Sequence, residues 1–339
     1  MSFPRFLIAV PVRRFVGCFG FAALLVLCGC SAIQVKMGWR VALAKVPVTT
    51  IEASLPRNPG IAPGEKNPLV VDVTDSTGKV LVTEGQGKGK VLWKDLAVTA
   101  TVVSVNKKGV LTLPKDPRLS DGKIGHVAIT VPSHPGVQTE LDVPLRYDYA
   151  FKANFSGAPG FPGTNGTSGN NGSDGSPGSL DPNNPSPGGN GGDGTDGGNG
   201  SDGGNGGDAP PVQVRVTLRD GGHPLLQIGV TGGTKKEHYY LVDPNGGSLS
   251  VSALGGAGGS GGKGGSGGRG GSGGIGTPNG SSGHDGNNGR DGSDGSAGSS
   301  GRITVIYDPQ AKPFLDVIHL SNPGAPAPTL IEEPVPPLW

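Results

Sequence analysis

Cysteine, methionine and aromatic side chains are all scarce in this chain: 339 residues include 3 Cys, 2 Met and 3 Trp, and aromatics make up 5%. Two of the cysteines, Cys18 and Cys28, lie in an N-terminal leader, which leaves Cys30 alone. A lone cysteine excludes an internal disulfide framework, a CxxC redox pair and a cysteine metal site. Charge of either sign is also short, with a formal net of +1. Removing Arg5, Arg13 and Arg14 with the leader takes the 28 cations to 25 against 27 anions, about −2. No basic cluster interleaved with aromatics remains, so nucleic acid is not an expected partner. What the chain has in excess is glycine, 65 residues, concentrated between 157 and 301.

The leader reads as a targeting device. Its basic start, the apolar run 15–27 and the small residues that follow make a segment too short to span a bilayer and suited to cleavage. The residues Leu27, Cys28, Gly29 and Cys30 resemble the bacterial lipobox. That resemblance implies a signal peptide over 1–29, lipidation (thioether-linked acyl chains, palmitate among them) at Cys30, and a short anchor linker over 30–39. Ser31 after the cysteine implies the outer membrane, at its periplasmic face or at the cell surface.

Residues 40–150 alternate apolar and polar at period two in short runs, including 69–73 (LVVDV), 80–83 (VLVT), 96–105 (LAVTATVVSV), 126–131 (HVAITV) and 141–149 (LDVPLRYDY), with turn formers between them. Short strands at this spacing predict an all-β sandwich. The pattern resembles bacterial immunoglobulin-like (Ig-like) modules, without their cysteine pair. Trp93 is expected in the core or at its rim. A second set of strand-like runs, 212–218, 225–230, 239–242, 249–254, 303–307 and 314–320, lies in 151–320 among the glycine-rich text. The prolines of 321–339 predict a disordered tail.

Four glycine blocks, 157–178, 188–207, 255–276 and 280–301, keep glycine at every third position. In the first, eight glycines fall in phase and none of the fourteen positions between them is glycine. A period of three without internal hydrogen bonds is that of the left-handed extended helix of collagen strands and polyglycine II. One such helix cannot offset its ordering entropy, so its backbone groups must pair with neighbours close enough to require a bare face. Blocks one and four show one glycine row, whereas blocks two and three mostly read Gly-Gly-X and have two. Blocks two and three are therefore expected at the centre of a bundle of four antiparallel rods carried on a β-scaffold. Their third rows are expected to face water: Asn190, Asp193, Asp196, Asn199, Asp202, Asn205 and Asp208 in block two, Ala257 to Ile275 in block three.

The blocks are similar to the stacked polyglycine-II helices of certain insect antifreeze proteins, phage tail-tip adhesins and glycine-rich extracellular receptor domains. With the leader and the β-domain, they give the chain a resemblance to bacterial outer-membrane lipoproteins with Gly-X-X repeats. A collagen-like trimeric stalk is the rival reading, but proline stands at X or Y only at Pro159, Pro162 and Pro177. A disordered tether is another. A monomer is expected rather than a homotrimer.

No catalytic site is expected. Gly258 to Gly262 match the nucleophile elbow only because the same text recurs every few residues, without the strand and helix that motif needs. The dinucleotide fingerprint is satisfied as trivially. Successive acids of block two would stand ~9.3 Å apart on one rod, too far to share a calcium ion held at ~2.4 Å. Six scattered histidines show no ligand spacing. The expectation is a non-enzymatic structural or adhesive lipoprotein without cofactor or metal, with a protein or glycan surface as its partner. The alternative is an accessory or assembly lipoprotein acting through its β-domains.

Overall fold

A computed structural model describes residues 31–219, 221–233 and 236–339. The leader and Cys30 lie outside the described residues. The chain is mainly β, and its described residues divide into two compact units, one of residues 31–115 and 119–146, the other of 116–118 and 147–339.

In the first unit, a short helix α1 (Ser31–Lys36) precedes nine strands. These are β1 (Val48–Ser54), β2 (Lys66–Pro68), β3 (Val70–Asp75), β4 (Val80–Val82), β5 (Ala97–Thr101), β6 (Ser104–Val105), β7 (Val110–Thr112), β8 (Gly125–Thr130) and β9 (Gln138–Val143). They form three antiparallel sheets in the orders β1-β3-β4, β2-β7-β6 and β5-β8-β9. Period-two alternation puts Val71, Val73, Leu111, Val127, Ile129 and Val143 into one core. Trp93 is in it as well, 5% exposed, and its indole N–H donates to the Glu84 carbonyl.

The described residues of the second unit form eight strands: β10 (Ala150–Asn154), β11 (Val212–Arg219), β12 (Leu225–Gly232), β13 (His238–Val242), β14 (Ser248–Ser252), β15 (Ile303–Tyr307), β16 (Ile318–Ser321) and β17 (Thr329–Glu332). One sheet runs β13-β12-β11-β15-β17, the other is all parallel in the order β10-β14-β16. The apolar run 314–320 supplies only β16. Before it, Pro309–Val317 winds as a 3-10 helix, opened by Asp308 accepting from the Gln310 amide and containing Pro313, which has no N–H for a ladder.

The C-terminal segment departs from the disordered tail expected of its prolines. β17 pairs in parallel with β15, and Glu332 accepts from Lys312 and from the Tyr307 hydroxyl. The Lys312 and Tyr307 hydrogen bonds hold the Glu332 carboxyl below its ordinary range. Beyond it, Val335 is buried and its carbonyl accepts from Thr217, while the Gln227 side chain accepts from the Leu338 amide and donates to the Trp339 carbonyl. A proline-rich segment has few N–H groups for its own structure, but its carbonyls and apolar rings can still be taken up by polar side chains of a sheet face.

Candidate functional surface

The two parallel strand pairs lead into and out of the glycine blocks, and they set the blocks' alignment. β10 runs into block one and β14 into block three, with Ala150 opposite Ser248, an offset of 98. The same offset recurs along the blocks, from Asn165 to Lys263 and from Asp174 to Ser272. At the other end, β11 and β15 receive blocks two and four with Val212 opposite Ile303, an offset of 91. That value holds from Asn190–Ser281 to Asp208–Ser299.

The blocks themselves are neither α-helix nor β-ladder, and their backbone groups bond between blocks. Glycine amides of block one donate to block three at every third residue, from Gly157 to Leu254 through Gly178 to Ile275, at 2.7–2.8 Å. Block two donates to block one through Gly189, Gly192, Thr195, Gly198, Ser201, Gly204 and Gly207, and to block four through the row Gly191 to Gly206, while Gly188 donates to Pro278 in the turn before block four. Block three donates to block two, and block four to block three. Blocks two and three each bond to all three others, whereas no backbone bond joins blocks one and four among the described residues. The two glycine-doubled blocks are thus central.

Consecutive blocks run antiparallel, as expected, and alternate blocks, one with three and two with four, run parallel. The parallel sense is inherited from the β10–β14 and β11–β15 pairs, which the period of three does not encode.

None of the block glycines has a positive φ, so an L-residue could adopt the backbone. Proximity is what excludes side chains. A Cβ on Gly197 would lie 2.6 Å from the Gly265 carbonyl carbon and closer still to its oxygen, and each first-row glycine of block two from Gly188 to Gly206 meets a block-three carbonyl in the same way. The second row of block two is looser. A Cβ on Gly198 would stand 3.0 Å from the Thr167 hydroxyl and 3.1 Å from its amide nitrogen. Thr195 and Ser201 already occupy that row, and their hydroxyls accept from the amides of Asn170 and Thr164.

The third row of block two is exposed, as expected, but it also makes bonds that the sequence reading missed. Each Asn or Asp side chain accepts a backbone N–H of block four through Oδ1: Ser281 on Asn190, His284 on Asp193, Asn287 on Asp196, Arg290 on Asn199, Ser293 on Asp202, Ser296 on Asn205 and Ser299 on Asp208, at 2.6–2.9 Å. The amide of the following residue then donates to the carbonyl of that same partner, as Gly200 does to Arg290. One Asx-Gly dipeptide therefore grips both backbone groups of one residue. Asn165, Asn171 and Asp174 of block one grip Lys263, Arg269 and Ser272 of block three similarly. Asp285, Asn288, Asp291 and Asp294 of block four accept from Gly270, Gly267, Gly264 and Gly261.

The signal was present in the sequence. A row meant only for solvation would admit Ser, Lys, Glu or Gln, yet all seven positions in block two are Asn or Asp, the side chains that carry an acceptor at the reach of a local backbone mimic. Replacing Asp193, Asp196, Asn199 and Asp202 together by alanine is expected to lower stability by about 2–4 kcal/mol, at about 0.5–1 kcal/mol for each hydrogen bond lost. Asp→Asn changes at the same acids, which keep Oδ1, should cost under about 0.5 kcal/mol in total, and urea denaturation followed by circular dichroism separates the two sets.

Lys263 and Arg269 stand exposed in the third row of block three, with Ala257, Ser260, Ser266, Ser272 and Ile275. Of the histidines, His126 lies opposite Asp142 in the β8–β9 ladder, 2.9 Å apart, and His223 is 2.8 Å from Asp243. Among the described residues no group of three or more His, Cys, Asp or Glu side chains is placed to hold a metal ion. No described helix is long and apolar enough to cross a membrane. No protein-family model, curated protein or solved structure matches the chain.

Proposed function

We propose that the chain is a lipid-anchored structural or adhesive protein of the bacterial outer membrane, held by acyl chains on Cys30. In this reading an Ig-like sandwich over 40–150 is followed by a β-scaffold bearing four polyglycine-II rods, a stiff hydrophilic body that meets a protein or glycan surface. The observation that carries it is the unbroken register, 98 and 91 residues, kept from the strands through the full length of the blocks. At ~3.1 Å per residue each rod spans roughly 65–70 Å. A flexible tether has no use for such matching.

A monomer fits this arrangement better than a trimeric stalk. In blocks one and four every glycine faces backbone of the same chain, in a neighbouring block or, for Gly178 and Gly301, in a segment next to block two, and both remaining rows carry side chains. No bare edge is left for a fifth rod, the same protection that charged or covered edges give β-sheets.

The test is made on cells expressing the full chain. Wild type is expected to incorporate labelled palmitate and to fractionate with the outer membrane, and Cys30→Ser to lose both. A variant lacking 157–207 and 255–301 should keep the label but no longer mediate attachment to cells or glycan-coated surfaces. Attachment equal to wild type without the blocks refutes the adhesive reading.

A further inference from the structure

Asn-Gly is the dipeptide most prone to spontaneous deamidation, because glycine offers no Cβ to shield its backbone nitrogen. That nitrogen attacks the asparagine Cγ, ammonia leaves, and water opens the resulting cyclic imide to aspartate or isoaspartate. The net change is asparagine plus water to acid plus ammonia. Ring closure needs the glycine nitrogen free of its hydrogen bond and the asparagine amide free to turn.

The chain contains eight such pairs, beginning at Asn165, Asn171, Asn190, Asn199, Asn205, Asn245, Asn279 and Asn288. In seven of them both reacting groups are bonded. Oδ1 accepts from Lys263, Arg269, Ser281, Arg290, Ser296, Gly276 and Gly267 for Asn165, Asn171, Asn190, Asn199, Asn205, Asn279 and Asn288 in turn. The amides of Gly166, Gly172, Gly191, Gly200, Gly206, Gly280 and Gly289 all donate to carbonyls of other blocks at 2.8–2.9 Å. To cyclise, each pair must break both bonds and swing Cγ towards a nitrogen that faces the neighbouring rod.

Asn245 is different. It sits in the exposed turn between β13 and β14, where its own amide donates to Asp243 and the Gly247 amide to the Asp243 carbonyl. Among the described residues no hydrogen bond engages the Asn245 side chain or the Gly246 amide, both residues are exposed, and Gly246 has φ +103°. Cγ and its attacking nitrogen are therefore both open to solvent.

We propose that Asn245–Gly246 is the site of spontaneous deamidation and isoaspartate formation in the folded protein, and that the interlocked blocks suppress the same chemistry at the other seven pairs. The modification places a new carboxylate two residues from Asp243, which pairs with His223 at 2.8 Å. The bundle thus makes a sequence that is chemically fragile as a free chain durable once folded.

The intact protein is incubated at pH 8 and 37 °C, in buffer and in parallel in denaturant, then peptide-mapped by mass spectrometry with isoaspartate detection. In buffer, conversion is expected at Asn245 at least tenfold faster than at any block asparagine, and Asn245→Gln should remove nearly all of it. In denaturant the eight pairs should convert at similar rates. Equal rates in buffer at Asn245 and the block asparagines overturn the protection, and an unchanged Asn245 in buffer overturns the site.

Discussion

Replacing Gly197 by alanine is expected to destabilise the second unit by about 3 kcal/mol, while serine at the adjacent Gly198 leaves it within about 0.5 kcal/mol of wild type. The two residues share one triplet and differ only in which neighbour they face. Gly197 faces block three, where an added Cβ meets the Gly265 carbonyl, and backbone cannot move aside without breaking the Gly265–Gly198 bond and the Asp196 grip on Asn287. The cost therefore combines overpacking with hydrogen bonds lost. Gly198 faces block one, where the nearest atom is the Thr167 hydroxyl, which can rotate. A serine there reproduces Thr195 and Ser201, and its hydroxyl can accept the Thr167 amide as theirs accept Asn170 and Thr164. Urea midpoints for the two variants, measured at constant slope, make the comparison.

Removing one residue from a block should be worse than removing twelve. Deletion of Ser266 rotates the rest of block three by a third of a turn, so that side chains enter glycine rows and the offset of 98 fails beyond that point. The expected result is loss of the bundle's cooperative transition and of the polyproline-like circular dichroism that the proposed rods would give. Deleting one level-matched triplet from all four blocks, residues 164–166, 199–201, 262–264 and 290–292, keeps every row in phase and shortens each rod by ~9.3 Å. That variant should still unfold in one transition, at a somewhat lower midpoint. A tether would treat the two deletions alike.

Much of this arrangement was legible because glycine at every third residue is a strict code for faces. Glycine doubling in blocks two and three identified the central pair, since a rod with neighbours on two tight sides needs two bare rows. The period-two runs likewise placed β3, β4, β5 and β8, and the core that holds Trp93, but not β1, β2 or β7. The alignment of one alternate block on the other was not legible. It depends on β10 pairing with β14 and β11 with β15, contacts 98 and 91 residues apart in the chain that no local pattern reports. The Asx grip is hidden behind the solvation expected of an exposed polar row, because Asn190 to Asp208 are exposed and hydrogen-bonded at once. The tail was misjudged from its prolines, whose missing N–H groups forbid a helix but do not prevent Thr217 and Gln227 from bonding its carbonyls and amides. In each miss the deciding partner lay far away in sequence.

Amide hydrogen exchange across 157–301, followed residue by residue by NMR, tests the interlock most directly. The bonding pattern predicts slow exchange at every third residue of block one, Gly157 through Gly178, with fast exchange at most positions between. In block three it predicts protection at the row Gly256 to Gly274, at Gly261, Gly264, Gly267 and Gly270 where Asx side chains of block four accept, and at Lys263, Arg269 and Ser272 where those of block one do. Exchange throughout the blocks as fast as in an unstructured glycine-rich peptide would contradict the account at its base.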